Sequence, residues 1–228
     1  MSYTKQNFQS GATLYASELN AMDNQIYANA AAIADLQYSA IDISAFSASP
    51  SQAELGSTVS SVTLSYTMNK KPTSATLDGS AQTISQASGT ISLTGLSLAA
   101  NKTWTLAATD ERNATSSKTA TLSFLNKAHY GVAVTPETIN SSFLLGLANG
   151  VLTASRAMTF TVNAGANQYI WYAVPASFGT CAFTVGGFLG GFVKVITITH
   201  TNASGRQASY DVYRSDNAGL GSTTVIVS

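Results

Sequence analysis

The sequence predicts a mainly β protein: a short N-terminal amphipathic, coiled-coil-type helix, an immunoglobulin-like β-sandwich, and a C-terminal β-sandwich module. Three observations predict it. Residues 17–37 contain neither Pro nor Gly and are rich in Ala, as a stable helix requires. Residues 43–126 run through about seven short alternating segments separated by Gly, Asn, Asp, Pro or Ser clusters, the spacing of a sandwich. Alternation resumes beyond His129, where Met158, Phe160 and Val162 share one strand face, as do Cys181, Phe183 and Val185, and Thr223, Val225 and Val227. The chain therefore divides into residues 1–40, 41–127 and 128–228.

The helix comes first. Ser17 is the expected N-cap and Glu18 the first-turn carboxylate that complements the helix dipole. Leu19, Met22, Ile26, Ile33 and Leu36 fall on a and d positions of a heptad, and Asn29 takes the remaining d position. That stripe requires cover, either from the β module of its own chain or from sister copies. Its place at the N-terminal side of a long β sequence favours a parallel bundle of copies. The seam does not choose between dimer and trimer, because Ile at a with Leu at d suits dimers and a buried Asn mainly fixes register.

In the second segment Val62, Leu64, Tyr66 and Met68 share one strand face, as do Trp104, Leu106 and Ala108, and Ala120, Leu122 and Phe124. Asp78-Gly79 is a tight-turn pair, and residues 110–113 form a polar connection between the last two strands. No cysteine pair ties the sheets, so Trp104, Phe124 and Tyr66 must hold the core; burying each such side chain contributes roughly 1.5–3 kcal/mol.

In the third segment residues 143–152 form either a short helix or an irregular core stretch. Residues 169–174 and 193–198 are apolar on both faces, apart from Lys194 and Thr197, which predicts strands buried on both sides, one side open to a second subunit. The run Gly186-Gly187-Phe188-Leu189-Gly190-Gly191-Phe192 is too flexible for a central strand and too apolar for an ordinary loop. It belongs at a hairpin tip or an interface, with Phe188 and Leu189 packed into an oligomer or the module core.

Composition narrows the function classes. Of 228 residues 45% are apolar and only 10% charged, against roughly 25% charged in average soluble domains. Eleven basic residues balance eleven acidic ones, so no positive field gathers nucleic acid or anionic lipid. No apolar run reaches the roughly 18 residues of a membrane span. Cys181 is the only cysteine, and no signal-like pattern follows Met1, so synthesis in a reducing cytoplasm is expected.

Candidate chemistry is sparse. Beyond residue 128 the acidic residues are Glu137, Asp211 and Asp216, and glycoside hydrolysis needs two carboxyls about 5–9 Å apart. Asp211 and Asp216 are expected in turns or in ion pairs with Arg214. His129 and His200 lack metal-ligand spacing, and the Gly186–Gly191 run lacks the Lys of a phosphate loop. Neither a catalytic residue, a metal site nor a cofactor is expected, and Cys181 reads as a small buried residue.

Two stretches carry a resemblance. Tyr3-Thr4-Lys5-Gln6-Asn7-Phe8, Gly11, Leu14-Tyr15-Ala16-Ser17-Glu18-Leu19-Asn20-Ala21-Met22 and Ile26 resemble the opening of tail-tip, baseplate and fibre proteins of tailed bacteriophages. Residues 169–175, 186–192 and 210–215 are similar to distal modules of such proteins. The resemblance implies an attachment element, with Tyr3, Phe8 and Leu14 as docking residues, leading into a trimeric helix. It hands over no catalytic residue. The implied protein is a homotrimeric virion component, made in the host cytoplasm, whose partners are itself, other tail or baseplate proteins, and a bacterial surface glycan or protein. Receptor contacts are expected on distal loops at Ser204, Arg206, Ser215, Asp216 and Asn217. The alternatives are a non-adhesive connector or capsid fibre, and a surface-glycan depolymerase.

Overall fold

A computed structural model describes residues 15–228. Helix α1 spans Ala16–Gln37 and is followed by sixteen strands and a second, short helix. At about 1.5 Å per residue α1 is about 33 Å long. Its cap differs from the expected one: Ser17 lies inside the helix, Tyr15 is the N-cap, and the Glu18 carboxylate accepts from the Tyr15 backbone N–H at 3.0 Å. None of its residues is buried, so the β module of its own chain does not cover the stripe.

The first module is an immunoglobulin-like sandwich. One sheet has the order β1 (Ile43–Ser49), β3 (Val59–Met68), β6 (Ser88–Leu98). The facing sheet runs β5 (Ser80–Ala81), β4 (Ser74–Leu77), β7 (Lys102–Thr109), β8 (Thr115–Ala133), with β2 (Gln52–Glu54) added in parallel to β8. The alternating rows meet between the sheets: Val62, Leu64, Tyr66 and Met68 face Trp104, Leu106, Ala108, Ala120, Leu122 and Phe124 in one apolar core. The β4–β5 hairpin turns at Asp78 and Gly79, both with positive φ (50° and 81°), as a twisted two-residue turn demands.

The expected 127/128 boundary falls inside a strand. β8 is 19 residues long, about 60 Å at strand rise. Its first half pairs with β7; its second half pairs with β9 (Asn149–Thr153) on one side and β11 (Tyr169–Pro175) on the other. The two modules therefore share one continuous strand. Beyond β11 the sheet continues through β15 (Gln207–Ser215) to an edge at β14 (Phe192–Thr201). A four-stranded sheet, β10 (Met158–Ala164), β16 (Gly221–Val227), β12 (Phe183–Val185), β13 (Phe188–Leu189), covers one face and forms the C-terminal sandwich.

Helix α2 (Ser141–Gly146) resolves the 143–152 ambiguity: a short helix capped by Asn140, then β9. It covers the other face of β11, where Leu144, Trp171, Ala173, Tyr210 and Val212 form a separate cluster. The two-faced apolar strand at 169–174 is thus buried on both sides by its own chain, and no second subunit is required there. For 193–198 the expectation fails. β14 is an edge strand, and Val193, Val195 and Ile196 are 45%, 40% and 43% exposed.

Candidate functional site

The apolar stripe of α1 is the first candidate surface. Leu19, Met22, Ile26, Ile33 and Leu36 are all exposed, Leu36 by 87%, and Asn29 shares an i,i+4 hydrogen bond with Gln25 (2.9 Å). The stripe is an uncovered hydrophobic surface, and packing of such a face supplies most of a helix's stability in a protein.

What anchors this helix is a buried carboxylate that the sequence disguised as part of a polar turn. Asp110, between β7 and β8, is 2% exposed and accepts from the Tyr38 hydroxyl (2.7 Å), the Ile41 amide (3.0 Å), and the Arg112 and Ala114 amides (2.9 and 3.0 Å). Lys70 completes it with an ion pair at 3.0 Å. Burial opposes its charge, but the bonds from Tyr38, Lys70 and the Arg112 and Ile41 amides outweigh burial and hold the carboxyl well below the usual range. Arg112 reaches back to Asp35 in the last helical turn (2.6 Å), and Lys70 and Arg112 stand over the Tyr38 ring. This network fixes the direction in which the helix leaves the sandwich. An Asp110→Asn substitution keeps the shape but removes the charge: limited proteolysis is expected to cut residues 37–41 faster, while the chain's circular dichroism stays β-type. Unchanged cleavage would show that Asp110 does not hold the joint.

The expected attachment residues Tyr3, Phe8 and Leu14 lie outside the described residues. The expected receptor residues do not share a surface. Ser204 and Arg206 sit in the β14–β15 turn, which packs back on the immunoglobulin-like module: Asn202 Nδ2 donates to the Leu55 carbonyl at 2.7 Å, and a Cβ at Gly56 would come within 2.6 Å of Arg206 Cβ. They face the module junction, not a distal tip. Ser215 is fully buried; its hydroxyl accepts from the Ile170 amide (3.0 Å) and donates to the Asn217 carbonyl (2.8 Å), a structural task at the end of β15. Of these residues Asp216 and Asn217 alone are exposed at the end of β15 away from the junction, about 33 Å from Arg206 along the strand.

The acidic candidates separate too. Asp211 is 4% exposed and is held by Lys194 (2.7 Å) and Thr197 (2.7 Å), not by Arg214. Arg214 instead lies over the Tyr169 ring at 4.4 Å. A shallow depression of about 390 Å³ is lined by Ala154, Ser155, Arg156, Ala157, Phe178 and Ser228, none of them a carboxylate, histidine or cysteine. Among the described residues no group of three or more His, Cys, Asp or Glu converges as a metal site requires. Nor, among them, is any helix long and apolar enough to cross a membrane.

Sequence spacing also missed a histidine pair. His129 and His200, far apart in the chain, meet edge to face with ring centroids 5.0 Å apart, and Tyr210 packs 4.7 Å from His200. Both are buried, and His129 Nε2 and both His200 ring nitrogens lack hydrogen-bond partners. The pair lies beside the junction, where Lys127 pairs with Glu54 at 3.2 Å and the Tyr210 hydroxyl donates to the Lys127 carbonyl at 2.8 Å. Burial first, then the neighbouring His200 and Lys127 charges, pull His129 down to about 4; its bond to the Leu144 backbone opposes them. Burial likewise lowers His200, against the pull of Glu54.

No family model and no curated protein matches this chain. Among solved structures it is similar to the α-L-rhamnosidase of Streptomyces avermitilis complexed with L-rhamnose, at 14% identity over 82% of this chain and 23% of that one, TM-score 0.28. It is similar to the α-L-rhamnosidase of Dictyoglumus thermophilum at 15% identity over 83% and 25% of the two chains, TM-score 0.25. A third is the N-terminal eight immunoglobulin domains of Down Syndrome Cell Adhesion Molecule isoform 1.30.30, at 11% identity over 76% and 22%, TM-score 0.24. The chain spans about a quarter or less of each matched protein's length.

Proposed function

We propose that this chain is a non-enzymatic component of a tailed-phage virion, a homo-oligomeric and specifically homotrimeric tail-tip or baseplate fibre. Its α1 stripe bundles sister copies, and its C-terminal module faces the bacterial surface. The observation that carries the reading is α1: a 22-residue helix with an apolar heptad stripe and not one buried residue, fixed by the Asp110 network to a strand-rich chain. The resemblance of residues 3–26 to phage tail proteins supplies the setting. Parallel bundling gathers several copies of the far end, so weak surface contacts multiply through effective concentration. Of the expected contact residues, Asp216 and Asn217 remain suited to that role by exposure and position.

Antibody raised against the chain is expected to decorate the tail of intact particles; particles carrying none of the protein would contradict the reading. Full-length protein added in excess is then expected to block adsorption to the host, and an Asp216→Ala/Asn217→Ala variant to block less well. Decoration of the particle without any block assigns the chain to a connector or head fibre instead.

A further inference from the structure

Strand register places the buried histidine pair beneath α2. His129 stands opposite Ala173 of β11 and Gly150 of β9, and His200 stands opposite Ala208 of β15. Ala173 and Ala208 both pack in the cluster around Leu144, so the two imidazoles lie on the sheet face that α2 covers. His129 is 3% exposed and His200 1%. Among the described residues nothing bonds to His129 Nε2 or to either His200 nitrogen, and the partner of His129 is the Leu144 backbone of α2 itself. A neutral pair can be kept in such a site, but an imidazolium needs an acceptor or water at each N–H. Two of them with ring centroids 5.0 Å apart also repel each other.

We infer that α2 is an acid-operated flap: protonation of His129 and His200 lifts Ser141–Gly146 off the long sheet while both sandwiches stay folded. The surroundings decide which cover moves. The rings stay in place, because β8 is laddered on both sides of His129 and β14 is laddered to β15 through Thr199, His200 and Thr201. On the side of the first module β2 is laddered to β8, the Leu55 amide donates to the Leu125 carbonyl at 2.8 Å, and Glu54 supplies a carboxylate that favours charge on His200. Protonation therefore draws that side inward. Helix α2 has no such hold. It is six residues long without an ionisable group, and of its residues only Leu144 is buried. Its polar ties to the sheet are the Ser141 hydroxyl, which accepts from the Thr201 amide at 2.8 Å, and the His129 bond to Leu144. The other groups around the pair do not offset a new charge: Lys127 on β8 repels a protonated His129, burial keeps the Tyr210 hydroxyl of β15 neutral, and Arg206 in the β14–β15 turn is a cation against Gly56. From β9 and β11 the neighbours are Gly150 and Ala173. Residues 134–140 before α2 belong to no strand, and β9 after it remains paired with β8, so the segment swings without breaking a ladder. The open form exposes both imidazoles and binds more protons, so falling pH favours it.

Amide hydrogen exchange of the full chain at pH 7, 6 and 5, corrected for the intrinsic pH dependence of exchange, tests the flap. The amides of Leu144, Leu147 and Thr201 are bonded to the Asn140 carbonyl, the Leu144 carbonyl and the Ser141 hydroxyl, so all three report on α2. They are expected to be less protected than the slowest amides of β7 and β11 by about tenfold or more. Their opening constant is expected to grow on the order of twentyfold from pH 7 to pH 5. In His129→Phe/His200→Phe that growth is expected to vanish. Should this variant not fold, the pH window serves alone: the chain has two histidines, and its carboxylates titrate at about 4 when unperturbed. Equal protection at α2 and in the strands would overturn the inference, because the pair would then act on the whole fold. So would exchange at α2 that is fast but does not grow between pH 7 and 5, or growth that persists in the folded double variant.

Discussion

Replacing Trp171 with Ala lowers the unfolding free energy by about 3–5 kcal/mol. The indole sits in the middle of β11 with no solvent exposure, meets Phe143 of α2 edge to face at 4.9 Å, and donates from Nε1 to the Ala133 carbonyl at 3.1 Å. Truncation leaves a cavity under α2 and an unsatisfied carbonyl at the end of β8, and nothing nearby can collapse into the space because Leu144, Ala173 and Val212 are already fully packed. Trp171→Phe keeps an aromatic body and is expected to lose distinctly less. Denaturant unfolding of the two variants measures the difference; a loss below about 1 kcal/mol for Trp171→Ala would mean the α2 layer is not a packed core.

Mild acid is the second large perturbation. The folded chain holds His129 near 4, whereas an unfolded histidine titrates at about 6.5. The folded state therefore binds fewer protons in this interval, and stability falls as pH falls. Its contribution is complete above about pH 6.5 and is lost progressively down to about pH 4. At about 1.4 kcal/mol per pH unit the loss is on the order of 3 kcal/mol for His129, and His200 adds in the same direction. The groups facing the pair are Glu54 from β2, Lys127 from β8 and Tyr210 from β15. Only Glu54, for His200, and the Leu144 backbone, for His129, favour protonation, and Glu54 is already paired with Lys127. Unfolding free energy measured between pH 7 and 4 should decline, and His129→Phe should flatten the decline. A profile flat in the natural chain would place the imidazoles in contact with water.

The sequence made the sandwich rows legible because alternation is a local property. Val62 to Met68 and Trp104 to Ala108 point inward as their spacing demands, and Asp78-Gly79 turns as its positive φ demands. What spacing cannot carry is the identity of the neighbour. Residues 169–174 and 193–198 look alike in sequence, yet one strand lies between two apolar layers and the other is an edge covered only toward its ends, where Phe192 stacks on Phe183 of the second sheet and the Thr201 amide donates to Ser141 of α2, leaving Val193, Val195 and Ile196 exposed. The same limit hid the histidine pair, which only the β8 and β14–β15 register brings together, and it placed Ser204 and Arg206 on a distal loop when their turn faces Leu55 and Gly56. Asp110 looked like one more turn residue because hydrogen bonds from Tyr38 and Ile41 arrive from far along the chain. Ser215 looked like loop because a hydroxyl bonded to a backbone amide reads no differently from one bonded to water.

All of the proposed biology depends on what covers the stripe from Leu19 to Leu36. Sedimentation equilibrium of the full chain at micromolar concentration tests it most directly. A species about three times the 23.6 kDa chain mass is expected, lost in Ile26→Asp/Ile33→Asp. A single 23.6 kDa species that persists as concentration rises would contradict it.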